Sequence, residues 1–117
     1  MKQRRERLGE LLRIEISEIL LKRVKDPRIS SFVSITEIKL SKDLRYAHVF
    51  VSIFGDEKTK RETLTGLESA KGFIRSEIGK DLRIRFIPEI IFELDDSLER
   101  GDRILKIIKT LESNEED

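Results

Sequence analysis

The fold is decided by residues 64–94, which read LTGLESAKGFIRSEIGKDLRIRFIPEIIFEL. Apolar residues recur at helical spacing on both sides of the small-residue run Ala70–Gly72. A glycine inside a helical pattern costs roughly 1 kcal/mol relative to alanine and commonly marks a kink. The stretch therefore predicts two half-helices whose axes part at Gly72.

From Leu82 onwards the period changes to two, which is typical of a half-buried strand. Arg83 and Arg85 fall on the polar phase of this predicted strand, and Phe86 falls on its apolar phase. Pro88 also lies on the apolar phase, where it removes a backbone donor, so the pattern indicates an edge position or a bulge.

The amino-terminal half predicts a long helix followed by a β-hairpin. An apolar stripe over residues 3–25 predicts the helix, and Pro27 ends it. Residues 29–40 have a strand pattern whose alternation slips near Thr36, which indicates a β-bulge. Residues 46–54 alternate cleanly and predict the antiparallel partner strand.

The carboxyl-terminal residues predict one more helix and a tail. Asp95–Ser97 offers an N-cap, and apolar residues follow at helical spacing to about Glu112. Residues 113–117 contain no apolar residue to bury, which predicts a disordered acidic tail. We therefore expect one α+β domain over residues 1–112, a three-stranded sheet with helices on one side.

Charge is distributed unevenly along the 117 residues. Residues 1–28 have a net charge of +4, residues 29–88 of +3 and residues 89–117 of −6, so the formal net charge of +1 hides a basic body. Screening limits electrostatic attraction to about 8 Å at physiological salt, so phosphate binding depends on the local face. Net neutrality therefore does not argue against nucleic-acid binding.

Composition excludes several kinds of site. The chain has no cysteine and a single histidine, His48, which excludes disulfides and clusters of thiolate or imidazole metal ligands. The start, MKQRRERLGELL, lacks the apolar run of a signal peptide or a membrane span. We expect a cytoplasmic monomer with no cofactor, no metal, no small-molecule substrate and no membrane partner.

The order helix, strand, strand, helix, helix, strand resembles the bacterial, type II form of the KH domain, a nucleic-acid-binding module. The usual KH signature is a GxxG loop between two helices, because its glycines let backbone amides approach phosphates closely. In this chain no two glycines are three residues apart. An ordinary KH domain is therefore not expected.

The chain is identified as similar to the bacterial ribosome-binding factor A family. In that family Ala-x-Gly at a helix-kink-helix replaces the GxxG loop, and Ala70-Lys71-Gly72 matches it. The further matches are, in order, Asp26-Pro27-Arg28, Ile35-Thr36, Ser41-x-Asp43-x-x-x-Ala47-x-Val49-x-Val51, Pro88-x-Ile90-x-Phe92-x-x-Asp95-x-Ser97 and Arg103-Ile104.

This resemblance implies a non-enzymatic assembly factor for the small (30S) ribosomal subunit. Members of the family bind free or immature small subunits, contact 16S rRNA near the neck and the decoding region, and assist its late maturation and processing. Growth in the cold depends on such factors. The expected partners are therefore the small subunit and its 16S rRNA.

Basic side chains are the candidate RNA contacts, because phosphate attraction supplies most of the affinity for nucleic acid. The resemblance places Lys71 and Arg75, beside the kink at Ala70 and Gly72, where a KH module meets nucleic acid. The other candidates lie at both ends of the first helix and around the third strand: Arg4, Arg5, Arg7, Lys22, Arg23, Lys25, Arg28, Lys80, Arg83 and Arg85. A weaker group surrounds the hairpin turn: Lys39, Lys42 and Arg45.

Most candidates also have an ordinary structural explanation. Cations in the last turn of a helix complement its dipole, and two arginines on an edge strand keep it soluble. Tyr46 and Phe50 could stack on bases or pack under a helix. Three other functions stay open: a general KH-like single-stranded RNA-binding module, a protein adaptor acting through the acidic end, and a metal-dependent nuclease using Asp95 and Asp96.

Overall fold

The structure is a computed structural model and describes residues 2–95. Its elements are α1 (Lys2–Lys22), β1 (Val33–Leu40), β2 (Tyr46–Ile53), α2 (Glu57–Asp81) and β3 (Glu89–Leu94). The predicted last helix and the acidic tail lie outside the described residues.

Helix α1 ends at Lys22, three residues before its predicted end. The backbone amides of Arg23 and Val24 both donate to the carbonyl oxygen of Ile19, at 2.9 and 3.1 Å, and close the helix. The carboxylate of Asp26 then accepts the amide of Arg28 at 2.9 Å and forms a separate turn. The predicted extension to residue 25 is wrong because this turn competes with the helix.

The hairpin and its bulge are confirmed. Strands β1 and β2 pair antiparallel, with a register shift between Ile35 and Glu37. Strand β1 begins at Val33 and not at Ile29, because the amide of Ile29 donates to the carbonyl oxygen of Asp26 at 3.0 Å.

Helix α2 is one uninterrupted helix from Glu57 to Asp81, so the predicted break at Ala70–Gly72 is wrong. Asp56 caps its start by accepting the amide of Thr59 at 2.8 Å. Propensity alone does not break the helix, since one glycine costs only about 1 kcal/mol and the buried apolar face compensates for it. A change of axis direction within the continuous helix stays a prediction.

Strand β3 is shorter than predicted, and residues 82–88 form a loop. Pro88 has no amide to donate, and the ladder begins at Glu89, whose amide donates to the carbonyl oxygen of Arg45 at 2.8 Å. The prediction that Arg83 and Arg85 share a strand face is therefore wrong. The sheet order β1-β2-β3 makes β3 an edge strand, parallel to β2, which confirms the edge position that Pro88 indicates.

The core lies between the sheet and the two described helices. Alternate residues of β2 face inwards and are buried, as their spacing predicts, and both helices cover this face. The buried apolar residues are Leu12, Ile16, Ile19, Ile35, Ala47, Val49, Val51, Ile53, Leu67, Ala70, Ile74, Ile78 and Ile90. The predicted α+β sheet with helices on one side is thus confirmed.

Candidate nucleic-acid interface

Three separate elements meet in one groove beside the start of β2. These are the first turns of α1, the β1–β2 turn and the loop 82–88. The groove has a volume of about 820 Å³ and continues into a second one of similar size that shares part of its wall. Together they form the basic groove, defined by Arg4, Arg5, Lys42, Arg45, Arg83 and Arg85.

The basic groove has an excess of positive charge. Among residues 2–95, two carboxylates line its walls, those of Asp43 and Glu89. Asp43 faces its own turn, where the hydroxyl of Ser41 donates to it at 2.7 Å and lowers the pKa of the carboxyl below its usual value. Glu89 lies 3.7 Å from the guanidinium of Arg75. The six cations of the basic groove outnumber these two carboxylates, so the described walls present a net positive charge to a ligand.

Four of the groove cations form neither an ion pair nor a contact with an aromatic ring within residues 2–95. The carboxylate nearest to Arg45 is that of Asp43, at 3.8 Å, and the guanidinium of Arg85 lies over the ring of Phe86. Cations without a carboxylate partner can bind phosphate without first losing an internal contact. The four are Arg4, Arg5, Lys42 and Arg83.

The β1–β2 turn is held in a fixed shape. The hydroxyl of Ser41 accepts the amide of Tyr46 at 3.0 Å, and the carboxylate of Asp43 accepts the amide of Arg45 at 3.1 Å. Leu44, between them, has a φ of 61°, the left-handed conformation that an L-leucine adopts only under constraint. Leu44 lines both parts of the basic groove, so the turn stores strain where it presents Lys42 and Arg45.

The other predicted cations are mostly bound to carboxylates. Arg23 contacts Asp81 at 2.6 Å and so joins the end of α1 to the end of α2. Arg28 binds Asp26 through two hydrogen bonds, which lower the pKa of that carboxyl to about 2. The other pairs are Lys22–Glu18 at 3.7 Å, Lys71–Glu68 at 2.6 Å and Lys80–Glu77 at 3.8 Å.

Arg7 and Lys25 are exposed but do not line the basic groove. Lys25 borders a small cleft between the end of α1 and α2, which also touches Ala70 and Phe73. The predicted RNA contacts thus separate into a group in the groove and a group elsewhere. Arg75 faces the loop before β3, and its predicted contact with RNA beside the kink stays a prediction.

The sequence pattern ranks the hairpin turn as the weaker group, which stays a prediction, and places Phe86 on the apolar face of a strand, which is wrong because β3 begins at Glu89. Phe86 is 76% exposed in the loop, and Leu44 was not singled out at all. The usable signal was the pair of basic residues, Lys42 and Arg45, on a polar turn. Nothing in the local sequence shows that this turn lies against the start of α1.

The remaining predicted groups have structural partners. Asp95 accepts a hydrogen bond from the hydroxyl of Thr36 at 2.6 Å, and Asp96 lies outside the described residues. His48 lies 3.0 Å from the carboxylate of Glu93 on the sheet face opposite the helices. Phe50, on the same face, lies under the ammonium of Lys39 at 5.6 Å. Within residues 2–95 no group of three potential metal ligands forms.

The topology and the basic groove together define a KH-like domain, a class of nucleic-acid-binding module. The sequence profile of the family described as ribosome-binding factor A matches residues 4–108. The chain belongs to the ribosome-binding factor A family. No helix in the described part of the chain is long and apolar enough to cross a bilayer.

Similar proteins agree with this assignment. A ribosome-binding factor A from Dictyoglomus thermophilum is 73% identical over 111 residues, covering 95% of this chain and 92% of that protein. A solution structure of a ribosome-binding factor A from Thermotoga maritima has a TM-score of 0.70 and 40% identity, covering 77% of this chain and 85% of the other.

A Thermus thermophilus ribosome-binding factor A is also similar in fold. The coordinates compared are those of a homology model that was fitted into an electron cryo-microscopy map of a 30S complex. The TM-score is 0.64 at 23% identity, covering 79% of this chain and 96% of that one. At this identity the comparison supports the fold alone.

Proposed function

We propose that this protein binds the free or immature small ribosomal subunit and assists late maturation of its 16S rRNA. It acts in the cytoplasm by binding, as a monomer and without catalysing a reaction. Family membership supports binding to the ribosome, and the small subunit is the particle named for the Thermus relative.

One observation supports this function best: cations without ion pairs from three elements line a single groove. Arg4 comes from α1, Lys42 from the hairpin turn and Arg83 from the loop before β3. A phosphate backbone bound there would contact all three elements at once, so affinity would depend on the folded arrangement. Each phosphate contact releases counterions, so binding should weaken steeply as salt rises.

Sedimentation with purified ribosomal particles tests the proposal. The protein is mixed with small subunits, large subunits and whole ribosomes at low and moderate salt. We expect selective migration with free small subunits that decreases as salt rises. Equal migration with all three particles, or binding that salt does not change, would contradict the proposal.

A pair of double variants tests the role of the groove. Arg4→Gln with Arg83→Gln removes two groove charges, whereas Arg7→Gln with Lys25→Gln removes two exposed charges elsewhere. We expect the groove variant to lose binding and to reduce the slope of log affinity against log salt by about 2, one per lost phosphate contact. Equal losses in both variants would contradict the role of the groove, because Arg7 and Lys25, which are also predicted RNA contacts, would then contribute as much as Arg4 and Arg83.

A further inference from the structure

The exposed ring of Phe86 is the feature of the groove that phosphate binding leaves unexplained. Its side chain is 76% exposed, although its neighbours in the loop are anchored. Ile84 and Ile87 pack against the core, and Pro88 is buried. The loop therefore presents Phe86 outwards from a fixed backbone.

The surroundings of this ring combine aromatic faces with cations. The guanidinium carbon of Arg85 lies 5.7 Å from the ring centroid. Tyr46, 45% exposed, lines the same groove together with Arg4 and Arg45. Proteins bind single-stranded nucleic acids with two components, a positively charged groove for the phosphates and exposed aromatic rings for the bases.

Phosphate contacts alone would serve double-stranded RNA equally well, but an aromatic platform would not. In an A-form helix the bases stack on one another inside the duplex, so their faces are not available to a side chain. An unpaired base offers its face, and every base can stack. The exposed ring therefore favours a single strand.

We propose that the basic groove binds a single-stranded RNA segment, with one unpaired base stacked on Phe86 and the adjoining phosphates on Arg4 and Arg85. This inference rests on the proposed function, since it names the kind of RNA that the same groove recognises. Tyr46 lines the same groove as Phe86.

The test compares two RNAs and two phenylalanine variants. The probes are a short single-stranded oligouridylate and an RNA duplex of equal total charge. Tyr46 is the only tyrosine and the chain has no tryptophan, so quenching of its fluorescence reports binding in the groove directly. Phe86→Leu removes the ring, and Phe54→Leu is the matched control, because Phe54 is 79% exposed at the opposite end of β2.

We expect the oligouridylate to bind more tightly than the duplex. Phe86→Leu should weaken that binding by about fivefold or more, the lower end of measured stacking contributions, while Phe54→Leu leaves it unchanged. A duplex that binds as tightly, a Phe86→Leu protein that binds like the wild type, or no binding of either RNA overturns the inference. If an acidic peptide binds as tightly as the oligouridylate and depends on Phe86 in the same way, the inference is overturned and a protein segment is favoured as the ligand of the groove.

Sedimentation separates this failure from failure of the proposed function. If the wild-type protein migrates with small subunits and Phe86→Leu has no effect on oligouridylate binding, the proposed function stands and the inference of a stacked base is wrong. If the wild-type protein binds the oligouridylate through Phe86 but migrates with no ribosomal particle, the proposed function is wrong and the inferred single-strand site stands.

Discussion

The guanidinium of Arg75 donates from Nη2 to the carbonyl oxygen of Ile87 at 2.9 Å. Its Nε donates to the carbonyl oxygen of Pro88 at 3.1 Å. Helix α2 thereby holds the loop that presents Arg83 and Arg85 to the basic groove. We therefore expect Arg75 to act on the groove by positioning this loop.

Arg75→Lys tests this role because it keeps the charge and removes the fork that reaches both carbonyl oxygens. Hydrogen bonds from a charged group contribute roughly 1.5–3 kcal/mol each when formed well, so we expect the free energy of unfolding to fall by about 1–2 kcal/mol in this half-buried setting. Binding to small subunits should also fall. Chemical denaturation and sedimentation measure the two effects.

Lys80→Gln is the control for Arg75→Lys, since Lys80 lies on the same helix and its partner is Glu77 at 3.8 Å. It removes a charge and should change both quantities little. If Arg75 instead contacts RNA through its charge, the Arg75→Lys protein will bind small subunits normally. The Lys80→Gln protein will then bind them equally well or more weakly than Arg75→Lys does.

The elements that the sequence predicts well are those whose local pattern agrees with their packing. The alternation of β2 identifies its buried face correctly, and the phase slip near Thr36 identifies the bulge. Strand β3 was predicted too long because the loop before it keeps an alternating pattern by chance, while Pro88 prevents pairing. An alternating pattern reports the polarity of the side chains, whereas the start of strand pairing depends on which backbone amides can donate hydrogen bonds.

The candidate site could be predicted only in part. Arg4, Lys42 and Arg83 are basic wherever they lie, but their convergence depends on how α1 crosses the sheet, which no local pattern reports. The ion pairs of Arg23 and Arg28 are equally invisible, because a cation bound to a carboxylate and a free one look the same in sequence. The sequence thus shows which residues are charged, but it does not show which of them are free of a carboxylate partner and able to bind a ligand.

Leu44 should be destabilising in its left-handed conformation. Leu44→Gly and Leu44→Ala both lose the side chain, but only glycine adopts φ near 61° without strain. We expect Leu44→Gly to be more stable than Leu44→Ala by about 1 kcal/mol, the reverse of the usual order of the two residues. Denaturant titration of the pair measures this difference, and equal stabilities would show that the turn is not strained.

Glycine at position 72 makes helix α2 less stable than alanine would at the same position. A methyl group there would meet no heavy atom within 4 Å outside the neighbouring helical backbone, and the glycine φ is not positive. Gly72→Ala should raise the free energy of unfolding by about 1 kcal/mol through helix propensity. Thermal and chemical denaturation give the value.

Gly66→Ala is the contrasting variant in the same helix. A methyl group at Gly66 would lie 2.7 Å from Cγ1 of Ile29, so we expect a loss of about 1–3 kcal/mol from overpacking. A loss of stability at both positions would show that the backbone at Gly72 is not compatible with alanine. Reduced subunit binding by a more stable Gly72→Ala protein would identify Gly72 as a point of close approach to the particle.

Glu15 and Asp81 join α1 to the end of α2 through a pair of carboxyl groups. A hydrogen bond with Asp81 raises the pKa of Glu15, and partial burial raises it further. The pKa of Asp81 is lowered, because Glu15 and then Arg23 donate hydrogen bonds to its carboxylate. Oε1 of Glu15 is buried and has no hydrogen-bond partner among the described residues. The structure therefore favours Glu15 in its protonated form.

This arrangement makes the contribution of Glu15 to stability depend on pH. A carboxyl whose pKa is higher in the folded state than in the unfolded chain binds its proton more tightly when folded. Its contribution is complete below the ordinary carboxyl value of 4.5 and is lost as pH rises through the folded pKa. Glu15→Gln keeps a neutral side chain of the same shape at every pH, so it should retain this contribution at pH 7.

We expect Glu15→Gln to melt at a higher temperature than the wild type at pH 7, by on the order of 2 °C, and the difference to vanish near pH 4. The control is Glu18→Gln on the same helix. It loses the contact of Glu18 with Lys22 at 3.7 Å and the charge repulsion between Glu18 and Glu15, so it should not stabilise the protein as Glu15→Gln does. Melting curves of the three proteins across this pH range decide the matter. A Glu15→Gln protein less stable than the wild type at pH 7 would mean that the ionised carboxylate is bound favourably, through the charge of Arg23.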